Sequence, residues 1–195
     1  MKRTIKMGIA ACMLLALSCT KEPLIGPQIT NTQTNDNSTT AHFIGEHFGG
    51  GIVFWVDSLG EHGLIADETD LGLFIWWGGE FPITGAIKRA IGAGNANTKK
   101  IIRLQGKTGS YAALECAKSA RGGYSDWFLP SINELSKLYQ RRSIIGGFDG
   151  DFYWSSTEIA GESSNYAAWV VYFPDGSIAG NYKYNAFSVR AIRSF

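Results

Sequence analysis

The sequence predicts an α+β domain in which a β-hairpin comes first, helices follow and several strands end the chain. This order differs from the strict strand–helix alternation that builds a parallel sheet. Glycine (24 of 195 residues) and aromatic residues (13%) are abundant, as expected for short strands joined by many turns. A hydrophobic fraction of 45% and a charged fraction of 18% exclude a wholly disordered or fibrous protein.

The first predicted element is a hairpin near the start of the domain. Residues 51–57 form an apolar run rich in β-branched and aromatic side chains, residues 58–63 supply turn-forming types, and residues 64–67 return as a second strand. This is the pattern of two paired strands. Residues 71–84 place aromatic side chains between glycines, and we expect an ordered irregular loop there.

Two helices are predicted next, at residues 97–104 and 110–121. The second ends before Gly122 and Gly123, which suit the left-handed backbone that often follows a helix. This helix contains Cys116. We expect a buried structural thiol there, because a free cysteine behaves as a small hydrophobic residue.

The third predicted helix has the clearest start. Ser131 and Glu134 follow Pro130 at the spacing of a capping box, in which each side chain binds the backbone N–H group of the other residue. An apolar stripe then predicts that one face of the helix packs against the core. The stripe consists of Ile132, Leu135, Leu138 and Tyr139.

The last part of the chain is predicted to be β. Residues 152–156 and 166–173 form two strands, and the Pro-Asp-Gly turn at 174–176 leads into a partner strand at 177–182. Residues 187–193 form a final strand.

Three blocks of the sequence together resemble a known family. They are Gly49-Gly-Gly-Ile-Val-Phe, then Gly123-Tyr-Ser-Asp-Trp-Phe-Leu-Pro-Ser-Ile-Asn-Glu-Leu135, and Tyr153-Trp-Ser-Ser-Thr157 followed by Val189-Arg-Ala-Ile-Arg193. These blocks are similar to the C-terminal domain of Legionella collagen-like adhesin, a family catalogued as a domain of unknown function. The similarity covers residues 43–195. Phe128 stands where the family commonly has Arg, which implies a changed local ion pair.

The resemblance implies a branch of the C-type-lectin-like superfamily. Its fold would have two main helices packed on a twisted antiparallel sheet, with long irregular loops at one end. Relatives of this branch include formylglycine-generating enzymes and variable phage receptors. In the receptors, the stretch near the last strands forms the ligand face.

The N-terminus has the features of an export signal. A positively charged start (Lys2, Arg3 and Lys6) precedes an apolar run at 7–17 that is too short to span a bilayer. The run leads into Leu-Ala-Leu-Ser and then Cys19, which resembles a bacterial lipobox. The resemblance implies cleavage before Cys19 and lipidation of that cysteine.

The predicted organisation is therefore a lipoprotein signal peptide at 1–18, a lipidated cysteine with a disordered tether at 19–41, and a C-type-lectin-like domain at 42–195. The tether is rich in Thr, Asn and Gln and has no apolar period. We expect the protein to attach to the cell envelope through its lipid. Thr20, where some bacteria use Asp for inner-membrane retention, favours the outer membrane; the side of that membrane stays open.

The charge and the cysteine content argue against nucleic-acid binding and against an intrachain disulfide. The formal net charge is +1, and loss of residues 1–18 leaves 15 basic and 17 acidic residues. Such a chain is an improbable nucleic-acid partner. Cys116 would be the only free thiol left, so an intrachain disulfide is not expected.

The residues give no catalytic constellation. The three histidines match no zinc-ligand spacing, and no nucleophile motif is present. We expect no enzyme activity, no metal site and no cofactor. Calcium binding is left open but not favoured, because the acidic residues near the end of the chain follow no known calcium-loop pattern. They are Asp149, Asp151, Glu158 and Glu162.

We therefore interpret the domain as a non-catalytic binding module of the adhesion type, with a glycan or polysaccharide as the first candidate ligand and a surface protein as the second. Tyr and Asn side chains suit stacking on sugars and hydrogen bonding to hydroxyl groups. Trp76 and Trp77 either add an aromatic platform or fill the core. The candidate ligand-binding residues are Asn181, Tyr182, Lys183, Tyr184, Asn185, Glu158, Asn165, Tyr166, Trp76 and Trp77.

Two alternatives stay open at this point. The first is a structural or accessory subunit of a surface protein complex, which predicts one protein partner and no glycan. The second is a divergent enzyme of the formylglycine-generating type. That enzyme would need Cys116 to be exposed, with a lowered thiol pKa.

Overall fold

The computed structural model describes residues 41–78, 83–161 and 164–195, which form an α+β domain as the sequence predicts. The predicted signal peptide, Cys19 and all but the last residue of the predicted tether lie outside the described residues. No helix in the described part of the chain is long and apolar enough to cross a membrane. In chain order the elements are β1 (His47–Phe48), β2 (Gly51–Val56), β3 (Gly63–Ala66), β4 (Gly72–Ile75), α1 (Gly94–Gln105), α2 (Ala112–Lys118), α3 (Ile132–Gln140), α4 (Arg142–Ile145), β5 (Phe152–Glu158), β6 (Ala167–Tyr172), β7 (Ile178–Tyr182), β8 (Ala186–Val189) and β9 (Ile192–Ser194).

The strands form two sheets, where the resemblance implied one. The first has the order β1-β2-β3-β9 and is antiparallel; it contains the predicted hairpin as β2 and β3. The second has the order β4-β8-β5-β6-β7, and its β5–β8 pair is parallel while the others are antiparallel. Strand β4 lies inside the segment predicted to be an irregular loop. It forms because it pairs with β8, far away in sequence.

The final strand predicted at 187–193 is divided between the two sheets at Arg190. The Arg190 side chain is buried, and its Nε donates to Asp70 Oδ1 at 2.7 Å. Its Nη1 donates to the Asp67 carbonyl oxygen at 2.8 Å, and its Nη2 donates to the Gly147 carbonyl oxygen. A buried guanidinium needs several such partners. The chain passes from β8 to β9 at this point.

The capping box of α3 is confirmed. Ser131 Oγ accepts from the Glu134 backbone N–H at 3.3 Å, and Glu134 Oε2 accepts from the Ser131 N–H at 2.6 Å. Glu134 Oε1 also accepts from the Gly92 N–H at 2.7 Å, which ties the helix to the segment before α1. Burial raises the pKa of Glu134, and these backbone donors oppose that shift.

The second helix is shorter than predicted. It ends at Lys118, because Ser119 takes an extended backbone (φ −60°, ψ 135°), and Gly122 and Gly123 belong to a separate 3₁₀ turn at Arg121–Gly123. Cys116 lies in this helix and is fully buried, which confirms the prediction of a core thiol.

The core has two apolar clusters that lie on opposite faces of the second sheet. Consecutive residues of β6 contribute to different clusters: Val170 belongs to the one that contains side chains of α1 and α2, and Val171 belongs to the one that contains the apolar stripe of α3. This two-residue period is the geometry of a strand buried on both faces. Trp127 and Trp154 are buried in the first of these clusters.

Candidate ligand-binding site

Two tyrosines project from the turn between β7 and β8. The rings of Tyr182 and Tyr184 are stacked, with centroids 5.3 Å apart and an interplanar angle of 7°, and more than half of each side chain is exposed (56% and 55%). Asn181 Oδ1 accepts from the Tyr182 N–H at 2.9 Å and from Asn185 Nδ2 at 2.6 Å. The Asn185 N–H donates to the Tyr182 carbonyl oxygen at 3.0 Å. The two amides therefore fix the turn that presents the rings.

An open groove of about 530 Å³ lies beside this turn, lined by Ile159, Ala167, Gly180, Asn181 and Tyr182. Gly180 keeps space in it, because a Cβ at this position would lie 2.5 Å from Ile159 Cδ1. The groove is also next to an edge of the second sheet, since β7 is its last strand.

A buried ion pair lies beneath the tyrosine turn. Lys183 Nζ donates to Glu158 Oε1 at 2.6 Å, and both side chains are fully buried. Glu158 Oε2 accepts from the Thr84 N–H at 2.9 Å, from Thr84 Oγ1 at 2.9 Å and from the Gly85 N–H at 3.0 Å. Burial lowers the pKa of Lys183, and Glu158 opposes that shift. Glu158 and Lys183 were predicted as ligand contacts, but their burial prevents them from reaching a ligand at the surface.

The tryptophan platform predicted from the sequence is also wrong, and the core alternative is correct. Trp76 and Trp77 are only 1% and 5% exposed and belong to the first apolar cluster of the core. Their backbone N–H groups both donate to the Lys183 carbonyl oxygen, at 2.9 and 3.1 Å. Trp76 Nε1 donates to the Ser155 carbonyl oxygen at 2.7 Å, and its ring faces Lys183 Nζ at 4.8 Å. These tryptophans support the tyrosine turn from inside the domain.

A 3₁₀ turn at Ser164–Tyr166 borders the tyrosine turn. The Tyr166 carbonyl oxygen accepts from the Lys183 N–H at 2.8 Å. The Tyr166 side chain is about half exposed and Asn165 is partly buried. The structure thus brings nine of the ten predicted residues together in one region, some at its surface and others in the hydrogen-bonded layer beneath it. The tenth, Asn165, lies in the bordering 3₁₀ turn.

Sequence reasoning missed Thr84, Ile159 and Gly180. No local signal marks Thr84, because its bonds to Glu158 join residues 74 positions apart. The alternation of β7 could have indicated Gly180, since Ile178, Gly180 and Tyr182 occupy alternate positions of one strand and are its exposed residues.

The described residues contain no group of three or more His, Cys, Asp or Glu side chains that could hold a metal ion. Glu158 is paired with Lys183 and does not join Asp149 in an acidic cluster, and Glu162 lies outside the described residues. Cys116 is fully buried, and burial raises the pKa of its thiol. The formylglycine-generating alternative requires the opposite, an exposed Cys116 thiol with a lowered pKa.

The sequence block at 123–135 has a mainly structural role. Trp127 is buried and donates from Nε1 to the Arg121 carbonyl oxygen at 3.1 Å. Both oxygens of Asp126 accept from the Arg193 guanidinium, at 2.8 and 3.0 Å, which lowers the Asp126 pKa. Phe128 is buried and forms a backbone bridge to Ile192.

A family model described as the Lcl C-terminal domain matches residues 88–193. The match covers more than half of the chain, including the second and third of the blocks on which the resemblance rested. It also contains the tyrosine turn, Glu158 and Tyr166, whereas Trp76, Trp77 and Thr84 precede it. No curated protein matches the chain significantly.

Proposed function

Because the chain belongs to the family of Lcl C-terminal domains, which are adhesin-type domains, we propose that it is a lipid-anchored envelope protein that binds a glycan or polysaccharide without catalysing a reaction. The binding proposal rests on one observation. The exposed Tyr182–Tyr184 stack stands beside an open groove, on a turn whose conformation is fixed from below.

The chemistry of this surface suits a saccharide. An aromatic ring offers a flat apolar face to the C–H groups of a sugar and a phenol hydroxyl at its edge. Asn side chains carry both a donor and an acceptor, as sugar hydroxyl groups require. Asn181 Oδ1 and Asn185 Nδ2 are used within the turn, so the ligand would meet the Nδ2 group of Asn181 and Oδ1 of Asn185.

The support beneath the turn favours binding in a second way. Lys183 joins Glu158, the Tyr166 carbonyl oxygen and the tryptophan segment through its side chain, N–H and C=O groups. A turn held at all three points loses little conformational entropy when a ligand arrives. Loops on a rigid scaffold commonly carry binding sites for this reason.

The anchor proposal rests on the sequence that ends in Cys19. Several acyl chains on one residue hold a protein firmly on a membrane, whereas a single chain does not. Replacing Cys19 by alanine should release the chain from the membrane fraction and remove the lipid mass from its N-terminal peptide. An unchanged membrane fraction and peptide mass would reject lipidation at Cys19.

A polysaccharide array probed with the full chain tests the binding proposal. Wild-type protein should give specific signals that fall by about tenfold or more (a change of about 1.4 kcal/mol) when Tyr182 and Tyr184 are both replaced by alanine. Tyr124→Ala is the matched control, because Tyr124 is a partly exposed tyrosine that packs on Arg193 instead. A blank array with folded protein would reject the glycan proposal and favour a single protein partner in an envelope complex.

A further inference from the structure

Two apolar side chains are exposed at the point where the chain enters the domain from the predicted tether. Phe43 lies two residues after Ala41, the first described residue. Leu59 directly precedes Gly60, whose carbonyl oxygen accepts from the His42 N–H at 2.9 Å. Both residues therefore flank the entry point. Among the described residues, three large apolar side chains are about two-thirds exposed: Phe43 (64%), Leu59 (66%) and Leu73 (67%).

The position of this pair indicates a lipid surface as its partner. Resting on the lipid anchor of the proposed function, we propose that Phe43 and Leu59, here called the entry patch, dock the domain on the membrane that holds Cys19. Single apolar side chains on a surface need no explanation, but these two adjoin the segment that leads to the lipid. Aromatic and aliphatic side chains insert at the boundary between headgroups and acyl chains.

Hydrogen bonds hold the backbone at both residues of the patch. The Phe43 N–H donates to Glu46 Oε2 at 3.2 Å, and the Phe43 carbonyl oxygen accepts from the Glu46 N–H at 3.2 Å. Asp57 Oδ1 accepts from the N–H groups of Leu59 and Glu61, both at 3.1 Å. A surface whose backbone is already ordered loses little conformational entropy on binding.

The length of the chain between the lipid and the domain keeps the patch near the membrane. Residues 20–40 separate Cys19 from Ala41, and a fully extended chain of this length spans at most about 80 Å. A surface tethered within such a distance meets its partner at an effective concentration on the order of millimolar. Two inserted side chains give weak affinity by themselves, as one acyl chain does. The tether makes that weak affinity sufficient.

Apolar contact, and not charge, would hold the patch on the membrane. Asp57 and Glu61 lie on either side of Leu59 in sequence, and Glu46 pairs with His42 at 3.0 Å. Carboxylates at these positions give no attraction to anionic headgroups. We therefore expect docking on uncharged phosphatidylcholine, without the salt dependence that an electrostatic attraction would have.

Quenching by brominated lipids measures this docking on the lipidated full chain. Protein whose N-terminal peptide carries the lipid mass on Cys19 is reconstituted in phosphatidylcholine vesicles, with or without bromine on the acyl chains close to the headgroups. Phe43→Trp and Leu59→Trp each add a fluorophore at the patch. Leu73→Trp is the matched control, because Leu73 is equally exposed but lies in β4 of the second sheet. Subtracting the emission of the parent chain, which has six tryptophans, isolates the added one.

We expect bromine to lower the added emission of Phe43→Trp and Leu59→Trp by about twofold or more, because interfacial side chains insert about 5–10 Å. The added emission of Leu73→Trp should change by less than about a tenth, because its side chain would stay in water. Raising NaCl from about 50 to about 500 mM should leave the quenching unchanged. Adding Phe43→Ser should restore the emission of Leu59→Trp, whereas adding Leu73→Ser should not.

The other outcomes separate docking from the anchor. On protein that carries the lipid, equal quenching of all three variants or quenching of none would overturn docking and leave the anchor standing. Protection of Phe43→Trp from acrylamide without quenching by bromine would show that protein covers the patch, and would also overturn docking. Absence of lipid from Cys19 would overturn both. Saccharide binding is tested independently, because neither patch residue lines the groove.

Discussion

Replacing Lys183 by methionine tests whether the buried ion pair supports the tyrosine turn. Methionine keeps most of the length of the lysine stem, so the variant mainly removes the 2.6 Å bond to Glu158. Glu158 would stay buried with hydrogen bonds from Thr84 and Gly85 but without a cation. Breaking a buried pair from one side typically costs about 3–5 kcal/mol. Because three bonds to Glu158 remain, we expect the lower limit, a loss of about 3 kcal/mol.

Urea unfolding of the full chain, followed by tryptophan fluorescence, measures this loss. Trp76 reports on the site directly, since its ring centroid lies 4.8 Å from Lys183 Nζ. In thermal unfolding the same change should lower Tm by about 6–12 °C for a domain of this size. Lys118→Met is the matched control, because Lys118 is about half exposed and pairs with Glu115 on the surface. It should cost less than about 1 kcal/mol.

The double variant Lys183→Met/Glu158→Gln separates the pair from the packing. It removes both charges, so it should be less destabilised than the sum of the two single variants by about 1–3 kcal/mol. A Lys183→Met variant within about 0.5 kcal/mol of the wild type, or strictly additive losses in the double variant, would refute the reasoning that the ion pair supports the turn.

Three further predictions follow from single contacts. Asp126→Asn should lower the free energy of unfolding by no more than about 1 kcal/mol at pH 7, because Asp126 is about half exposed. Since Arg193 lowers the Asp126 pKa, the stability that this pair gives the wild type is present above pH ~4 and is lost as the pH falls through the lowered pKa. A difference in unfolding free energy between wild type and variant that does not shrink in acid would contradict this. Gly180→Val should weaken polysaccharide binding by about tenfold, because the new side chain would push Ile159 into the groove. The circular dichroism spectrum of the variant should match that of the wild type. Undiminished affinity would show that the ligand does not use the groove. Iodoacetamide should leave the Cys116 peptide unlabelled in the native chain and label it fully in guanidinium, as mass spectrometry can show; rapid native labelling would return the thiol-enzyme alternative to consideration.

Local signals in the sequence predicted the elements that local contacts determine. The capping box of α3 is such a case, since Ser131 and Glu134 are three residues apart and bind each other. The β2–β3 hairpin is another, because its two strands are joined by one turn. In both cases the residues that make the structure are neighbours in the chain.

Tertiary contacts determined what the sequence could not predict. Trp76 is buried in the core, where its indole donates to the carbonyl oxygen of a residue 79 positions away. Glu158 and Lys183 have residue types that are rarely buried unless paired, and no local pattern shows that they pair with each other. The candidate residues lie near one another in the structure, but the sequence could not show which of them are at the surface and which are buried beneath it.

The central claim is that the rings of Tyr182 and Tyr184 contact the bound saccharide. Saturation-transfer NMR on the full chain tests it directly, by irradiating aromatic protons of the protein and observing the C–H protons of a bound oligosaccharide. The account predicts strong transfer to one face of the sugar, and loss of that transfer in the Tyr182→Ala/Tyr184→Ala variant. Transfer that persists in this variant, or a sugar that binds without receiving aromatic saturation, would contradict the claim.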